Sequence, residues 1–417
     1  MSTIYKALKV RLYPSKEQEV LINKTLGCAR FIYNQMLAER IAVYENLKED
    51  KRALYEHKYK TEKQYKEEFE FLKEVDSIAI QQSRMNLSMA YQNFFKSLSG
   101  KRKGKSGFPK FKKKKSGESY TTSMVNGNIA INFDNREVKL PKIGKVKFRD
   151  ERTSFDGKIK SATISRTPTG KYFVSLLFEQ EFEYAGVTID DSLITKAIGI
   201  DMSLSNFFLD DKGNSPAYER LYRTYEKKLA KLQRRVSKKK LGSANRKKAQ
   251  HKVNLLHEKI ANKRKDFTQK LSTKIVKENT VIVVEHLSLK AMSQALNLGK
   301  SIMDLGFSQF INQLQYKSLW NNKVFIQADK WFASSKTCSV CGYKNKDLTL
   351  SDREWSCPNC GQNHDRDVNA AKNLKQYGLK DLGLGQPDIK PVERKTAADS
   401  LSFESASFLN EAGSPCL

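Results

Sequence analysis

Apolar and polar residues alternate through the first segment of the chain, IYKALKVRLYP, and the alternation stops at Pro14. A period of two is typical of a half-buried β-strand. From Ser15 to about Asn46 the period becomes helical, and Ser15 and Gln18 are spaced as the two members of a capping box. A second helical stretch, SIAIQQSRMNLSMAYQNFFKSL, gathers its apolar and aromatic residues on one side. Its aromatic residues are typical of the core of a helical bundle.

Short alternating segments fill the region from Tyr120 to Phe182. Its last segment, KIKSATISRTPTGKYFVSLLFEQEF, predicts a hairpin across Pro168–Gly170, because turn residues separate two alternating runs. Together with the first strand, these segments predict a small barrel-like β module. The helical region is then an insert within that module.

Two continuous apolar runs, KAIGID and TVIVVE, follow later, and each ends in an acid. Such runs are typical of strands buried on both faces. The basic stretch between them predicts a helical hairpin broken near Leu241–Ala244, because each half carries one apolar stripe. Residues from about 381 onward lack periodicity and are predicted to be disordered. The stripes consist of Leu229, Leu232 and Val236 in the first half and of Val253, Leu256 and Ile260 in the second.

The charge of the chain indicates its class of partner. Its 417 residues include 76 Lys and Arg against 46 Asp and Glu, a formal net charge of +30. This excess predicts a polyanionic partner, foremost nucleic acid. We see no apolar run of membrane-spanning length and no signal peptide in MSTIYKALKVRLYPSKEQ. We therefore expect no membrane or small-molecule partner and a cytoplasmic, nucleoid-associated location.

Two basic stretches are the candidate nucleic-acid contacts. The segment GKRKGKSGFPKFKKKKSGES predicts a flexible, solvated loop in which Phe108 and Phe111 stack on bases while lysines follow the phosphates. The helical hairpin presents a second basic exterior. We assign contacts to Lys101, Arg102, Lys103, Lys105, Lys110, Lys112, Lys113, Arg234, Arg235, Lys238, Lys239, Arg246 and Lys247.

Four of the six cysteines lie in two pairs, CSVC and CPNC, separated by fifteen residues. This is the spacing of a tetrahedral zinc ribbon, and a glycine after each pair allows a tight turn. A closed shell of four thiolates leaves no position for a reacting water, so the predicted zinc is structural. The predicted ligands are Cys338, Cys341, Cys357 and Cys360.

Two nearby candidates receive other roles. His364 is expected to be a turn residue or a nucleic-acid contact, since four thiolates already complete the zinc shell. Cys28, in LGCARFIYNQML, is expected to pack as a small core residue on a helix face.

Three acids are the candidate catalytic residues. Asp201 and Glu285 each follow directly on a buried strand, and Asp367 begins the alanine-containing segment DVNAAKNL. Buried carboxylates need compensation, and oxygen-only ligands favour magnesium or manganese. A pair of such cations, held by carboxylates, can catalyse the hydrolysis of a phosphodiester. We prefer Asp367 to Asp365, which we expect to be a turn or supporting residue, because small alanines allow the following helix to pack closely on a sheet.

The order of these motifs resembles the TnpB family, transposon-encoded RNA-guided nucleases related to type V CRISPR effectors. GID, the basic hairpin, VVEHL, the cysteine pairs and HDRDVNAAKNL occur in the family's order, and KVRLYPSKEQ and SGFPKFKKK extend the likeness over roughly residues 5 to 380. The resemblance implies an α/β RuvC-type, RNase H-like domain with its acid triad at Asp201, Glu285 and Asp367. It also implies a guide RNA from the transposon end and cutting of matched double-stranded DNA beside a short motif.

The resemblance further implies a domain plan. This chain departs from the usual family sequence at one position. A wedge β-barrel is expected from residues 1–14 and 116–190, a helical recognition domain from 15–115, and the nuclease domain from 191–335 and 362–380, with the ribbon at 336–361. Family members usually carry glycine where this chain has Ser203. Two other functions stay open: an RNA-guided repressor that binds without cutting, and a transposase that transfers DNA strands.

Overall fold

The computed structural model describes residues 2–102, 104, 106–114, 118–183, 185–287, 304–349 and 351–384. They divide into two compact units, 2–183 and 185–384. Lys103, Lys105 and residues 385–417 lie outside the described residues, so the predictions made for them are not addressed. No helix within the described ranges is both long and apolar enough to cross a membrane.

The first unit is built on an antiparallel sheet of seven strands in the order β2-β6-β7-β1-β5-β4-β3. The predicted first strand, β1, is central and pairs with β7 from Ser2 opposite Phe182 to Leu12 opposite Tyr172. Alternate side chains of β1 point to the same face of the sheet, so Leu8 and every second residue after it lie in the core. The strands are β1 (Ser2–Tyr13), β2 (Glu118–Ser123), β3 (Ala130–Asn132), β4 (Glu137–Leu140), β5 (Gly144–Arg149), β6 (Lys158–Arg166) and β7 (Tyr172–Phe182).

The hairpin predicted between the last two of these strands is confirmed. Arg166 pairs with Tyr172, and Gly170 turns the chain at a φ of 87°. That angle is in the left-handed region, which glycine adopts without a Cβ clash. The amide of Gly170 donates to the carbonyl of Thr167 at 2.9 Å and closes the turn.

Helices occupy the chain between β1 and β2. The predicted capping box is confirmed: the Gln18 amide donates to Ser15 Oγ at 3.3 Å, and the Ser15 amide donates to Gln18 Oε1 at 3.0 Å. Of the residues predicted to form the core of the second helical stretch, Ile80 and Leu87 are fully buried and Tyr91 is partly buried against the same cluster. The prediction is wrong for Phe95, which lies at the end of the helix and is 59% exposed. The helices are α1 (Lys16–Leu47), α2 (Lys51–Glu56), α3 (Glu62–Glu68) and α4 (Ser77–Leu98), with a 3₁₀ turn at Glu70–Glu74.

The second unit contains a four-stranded sheet in the order β11-β10-β8-β9. The three strands β8, β10 and β11 are parallel, and β9 pairs antiparallel with β8. The valines of β10 are fully buried, as the continuous apolar run predicts. The strands are β8 (Ala197–Ser203), β9 (Phe207–Asp210), β10 (Val281–Val284) and β11 (Val324–Gln327).

The second unit also contains helices and a small hairpin. The helices are α5 (Ser192–Thr195), α6 (Leu221–Ser237), α7 (Ala244–Glu278), α8 (Phe307–Trp320) and α9 (Arg366–Asp381). The hairpin joins β12 (Glu354–Ser356) to β13 (Asn363–Asp365).

The predicted basic hairpin corresponds to α6 and α7, which pack against each other. Leu229, Val236 and Val253 are among the residues that form its buried stripe, and Leu232 is partly buried beside them. The turn between the helices lies at 238–243, against the predicted break at 241–244.

Helix α9 packs on the sheet more closely than side chains normally permit. A Cβ at Gly199 of β8 would overlap the backbone oxygen of Ala371, and a Cβ at Gly378 would overlap a methyl group of Val283. Ala370 and Ala371 are buried at this contact. The prediction that small residues bring this helix close to the sheet is therefore confirmed.

Candidate functional site

Two of the predicted acids are neighbours in the central sheet. Ile200 of β8 is opposite Val284 of β10 in a parallel pair, so Asp201, the next residue of β8, lies beside Glu285, which directly follows β10. Adjacent strands lie about 4.8 Å apart, and residues in register project to the same face. Both side chains are partly buried, and they share a hydrogen bond.

The third acid is brought to the same edge by α9. Ala371 lies over Gly199, two residues before Asp201 in β8, and Asp367 is one helical turn before Ala371. One turn of helix rises about 5.4 Å, so Asp367 lies within one turn of the residue that packs on β8. The negative charge of Asp367 acts on both other acids. Asp365 caps the helix instead, accepting from the Val368 amide at 2.8 Å, as expected for a turn residue.

The electrostatics of this cluster favour a bound positive charge. Burial, followed by the charges of Glu285 and Asp367, raises the pKa of Asp201 well above its ordinary value. Burial likewise raises the pKa of Glu285, while its hydrogen bond with Asp201 opposes the shift. Carboxylates that resist ionisation when left alone are stabilised by a cation among them.

Two arginines that the sequence analysis did not single out balance part of this charge. Arg366 lies close enough to lower the pKa of Asp201 and Glu285. Arg353 approaches Asp367, with 3.5 Å between Nη1 and Oδ2. Among the described residues, the carboxylates do not form a group as compact as the cysteines discussed next.

The four predicted cysteines form one cluster. Their sulfur atoms all lie within 4.8 Å of one another, with 3.7 Å between Cys338 and Cys360 and 3.6 Å between Cys341 and Cys357. Zn–S bonds of about 2.3 Å in a tetrahedron place sulfur atoms about 3.8 Å apart. The cysteines therefore fit a zinc ion in number, chemistry and spacing.

The two cysteine pairs have the same local backbone. The Gly342 amide donates to the carbonyl of Cys338, and the Gly361 amide donates to that of Cys357, both at 2.9 Å. The two glycines have φ of 74° and 73°, in the left-handed region, as the tight turns require. Equivalent turns present both pairs of thiols to one point, which is the arrangement of a zinc knuckle.

His364 differs from expectation. It lies in β13, is buried, and places Nε2 3.0 Å from the sulfur of Cys338. Its ring also contacts Trp355, with 4.8 Å between the centroids. The prediction that His364 is a turn residue or a nucleic-acid contact is wrong, because strand β13 turns its ring inward against the cysteine cluster.

The amide side chains of α9 are a feature that the sequence analysis missed. Asn369 receives the Ser339 amide at 2.9 Å and donates to the carbonyl of Thr337 at 2.7 Å. Asn373 donates to the carbonyl of Ser334 at 2.7 Å. Both asparagines are buried, and their four-residue spacing places them on one helix face. That spacing in DVNAAKNL was the available signal, and it ties the first cysteine pair to the helix that carries the third acid.

Comparison with known sequences agrees with this arrangement. Residues 184–296 match a family described as "Probable transposase", residues 307–374 match "Cas12f1-like, TNB domain", and residues 1–49 match "Helix-turn-helix domain". A Streptomyces pristinaespiralis protein named "Putative RNA-guided DNA endonuclease" is 35% identical over 427 residues, covering 100% of both chains. The chain belongs to the TnpB family. An Escherichia coli K12 relative, "Putative RNA-guided DNA endonuclease InsQ", is 29% identical and covers 91% of this chain and 94% of its own.

A solved structure of low sequence identity has a fold similar to that of this TnpB chain. The structure described as "Cryo-EM structure of the Cas12f1-sgRNA-target DNA complex" aligns with a TM-score of 0.54 at 15% identity, covering 89% of this chain and 99% of that one. This likeness concerns the fold alone. In this TnpB chain, residues 1–49, matched as a helix-turn-helix, hold the strand β1 followed by the single long helix α1.

Ser203, the departure from the usual TnpB sequence, is buried at the end of β8. Its hydroxyl is 2.8 Å from that of Ser205 and accepts from the Ser205 amide at 3.3 Å. These short-range bonds satisfy the serine within the turn to β9.

The basic hairpin of this TnpB chain presents most of its predicted contacts to solvent. Arg235, Lys238, Lys239 and Lys247 are exposed, as is Arg234. Arg246 is different: its Nη1 donates to the carbonyls of Val236 and Lys239, each at 2.9 Å. It therefore holds the turn between the helices, which differs from the phosphate contact expected of it.

The basic loop is more ordered than predicted. The Lys112 amide donates to Asn34 Oδ1 at 2.8 Å, and its ammonium lies 4.2 Å from the centroid of the Tyr33 ring. Phe108 packs edge-on against Phe94, with 5.4 Å between centroids. The prediction of a flexible loop is wrong for residues 106–114, because these contacts fix them to α1 and α4. Lys101, Arg102, Lys110 and Lys113 are exposed within the described part.

Proposed function

We propose that this TnpB chain is an RNA-guided DNA endonuclease that depends on divalent cations. The observation that carries the proposal is the meeting of Asp201, Glu285 and Asp367, from three segments far apart in sequence, at one edge of the central sheet. The names of full-length relatives, RNA-guided DNA endonucleases, support the same activity.

The fold supports a division of labour in this proposal. The parallel strands covered by α9 support assignment of residues 191–335 and 362–380 to an RNase H-like, RuvC-type domain, with the cysteine cluster at 336–361 inserted in it. The seven-stranded sheet supports a wedge module from residues 1–14 and 116–190. The helices α1 to α4 support a recognition domain over residues 15–115.

The three carboxylates would hold magnesium or manganese. Carboxylates offer only oxygen ligands, which these cations prefer. Burial also raises the pKa of Asp201 and Glu285, so a cation would stabilise their ionised forms. When bound, a divalent cation polarises the phosphodiester and lowers the pKa of the attacking water. Arg353, which is mostly exposed and near Asp367, is placed to approach a phosphate of the strand being cut.

The cysteine cluster would hold a structural zinc ion. Four thiolates close its coordination shell, so no reacting group is assigned to it. Its contribution is mechanical, since Asn369 and Asn373 connect the first cysteine pair to α9 and hence to Asp367.

Sequence recognition would be supplied by base pairing to a guide RNA transcribed from the transposon end. A chain of net charge +30 binds the phosphates of RNA and DNA with little regard to sequence. Specificity for a matched double-stranded target then comes from the guide, while the protein holds the heteroduplex through its backbone and reads only a short adjacent motif.

The test is to purify the chain with its co-expressed RNA, sequence that RNA, and incubate the complex with a matched DNA duplex. We expect cutting that requires Mg²⁺ or Mn²⁺ and disappears in Asp201→Ala, whose duplex affinity stays unchanged because the basic surface is intact. Binding without cutting under all metals would favour an RNA-guided repressor. Joined products with transposon-end DNA would favour a transposase.

A further inference from the structure

An exposed tryptophan lies on the loop that follows β11. Trp331 leaves 81% of its surface in solvent, although aromatic side chains of this size are usually covered. The other two tryptophans of the chain, Trp320 and Trp355, are partly or fully buried. An exposed ring of this size offers a flat apolar face on which a ligand can stack.

The loop is held in place on both sides of this ring. The Ala328 amide donates to the carbonyl of Val284 at 2.9 Å, and the Trp331 amide donates to Asp329 Oδ1 at 2.8 Å. Phe332 packs on Tyr377 of α9, with 4.8 Å between the ring centroids. The ring is therefore presented by a fixed backbone, which lowers the entropy lost on binding.

One of these contacts anchors the start of the loop next to the strand end that carries Glu285. Val284 directly precedes Glu285, and Tyr377 belongs to the helix that carries Asp367. Trp331 is the third residue after Ala328, so their Cα atoms are at most about 11 Å apart. The loop is thus anchored to the two elements that position two of the three acids.

The chemistry around the ring suits a nucleobase. The ammonium of Lys330 lies over one face of the Trp331 ring, 4.6 Å from its centroid, so a base would stack on the opposite face. Carboxylates repel phosphates, so a strand held near them gains from a grip that does not depend on charge. Base stacking supplies such a grip, and it requires an unpaired base because the faces of paired bases are already covered.

We propose that Trp331 stacks on an unpaired base of the DNA strand being cut and fixes that strand against Asp201, Glu285 and Asp367. This proposal rests on the proposed nuclease function. It assigns Trp331 a positioning role, in which the ring holds a base and the carboxylates act on the phosphodiester.

The first experiment compares Trp331→Ala, Trp331→Phe and wild-type chains, each purified with guide RNA, on a matched duplex. We expect single-turnover cutting to fall about 5- to 100-fold in Trp331→Ala, the range of one lost stacking contact, with duplex affinity and melting temperature unchanged. Trp331→Phe should recover most of the rate.

A second arm replaces single nucleotides near the cut with abasic sites. At one position the abasic DNA should slow the wild-type chain by the same factor as Trp331→Ala and slow Trp331→Ala no further. Additive losses at every position would overturn the proposal. So would wild-type cutting by Trp331→Ala, or a loss of duplex affinity or melting temperature in that variant.

A third arm separates this proposal from the nuclease function. In the Asp201→Ala chain, single-stranded DNA should quench tryptophan emission, and Trp331→Phe in the same background should remove the quenching. Absence of cutting by the wild-type complex would contradict the nuclease function whether or not quenching occurs. No quenching by DNA, or quenching that persists in Trp331→Phe, would overturn the stacking proposal alone.

Discussion

Asp201 shows how a single residue can oppose folding in order to serve a site. Its burial beside Glu285 and Asp367 raises its pKa, so the ionised form is less stable in the folded chain than in the unfolded one. A carboxyl group of this kind costs stability at every pH above its ordinary pKa, because the unfolded chain then ionises more readily. A residue retained at such a cost is typical of a binding or catalytic position.

We therefore expect Asp201→Asn to raise the free energy of unfolding by about 0.5–2 kcal/mol at pH 8 without divalent cations. At about 2–4 °C per kcal/mol for a unit of this size, thermal melting would detect the gain. Mg²⁺ should stabilise the wild-type chain more than the variant, since it binds the folded carboxylates.

Asp190→Asn is the control for this prediction. Hydrogen bonds from Ser192 lower the pKa of Asp190, so its charge is favoured in the folded chain and its removal should bring no gain. A stability of Asp201→Asn equal to or below that of the wild type, without Mg²⁺, would contradict the account.

Helix α9 is the element on which the site depends most. One face packs its alanines on Gly199, another binds the first cysteine pair through Asn369 and Asn373, and its first turn carries Asp367. These three functions follow from one helical period, because residues three or four apart share a face. Small changes in how α9 sits on the sheet should therefore reach the acid cluster.

Gly199→Ala tests this packing. The new Cβ would overlap the backbone of Ala371 and lie 2.6 Å from the amide nitrogen of Lys375, so the helix must shift. Overpacking of this kind costs about 1–3 kcal/mol, and we expect a lower melting temperature and slower cutting. Gly27→Ala is the matched control: it lies within α1 with nothing within 4 Å and should stabilise the chain by about 0.5–1 kcal/mol. Equal effects of the two changes would refute close packing at Gly199.

The cysteine cluster makes a separate prediction. Cys357→Ser should lower the zinc content measured by elemental analysis and lower the melting temperature, because structural zinc supplies folding free energy. Cys28→Ala, which changes a buried cysteine of the first unit, should leave the zinc content unchanged. An unaltered zinc content in Cys357→Ser would exclude that cysteine as a ligand.

For the molecule as a whole, the net positive charge is the main feature that favours binding to nucleic acid. The net charge of +30 is spread over both units, including the hairpin of α6 and α7 and the exposed part of the basic loop. Charge of this size binds nucleic acid by releasing counterions, which makes affinity fall with salt. The basic residues fall into two groups in the structure. Many lysines are exposed, whereas Arg246 is hydrogen-bonded within the protein.

We expect DNA affinity to fall by roughly 10³- to 10⁵-fold between 50 and 200 mM salt if about 6–10 phosphates are contacted. Lys238→Gln combined with Lys239→Gln should reduce the slope of log K against log salt by about 2 if both contact phosphates. Arg246→Ala should instead lower the melting temperature, because it removes two bonds across the hairpin turn. A double lysine variant with an unchanged slope would place the DNA elsewhere.

The local pattern of the sequence was sufficient for α1, the β6–β7 hairpin, the strands β8 and β10, the hairpin of α6 and α7, and the cysteine cluster. Capping at Ser15, the turn at Gly170 and the thiol spacing depend on a few neighbouring residues, so they can be predicted from those residues alone. Other features depend on partners distant in the chain. Arg353 beside Asp367, the inward ring of His364 and the docking of Lys112 on Asn34 could not be predicted, since which polar side chains meet is set by packing.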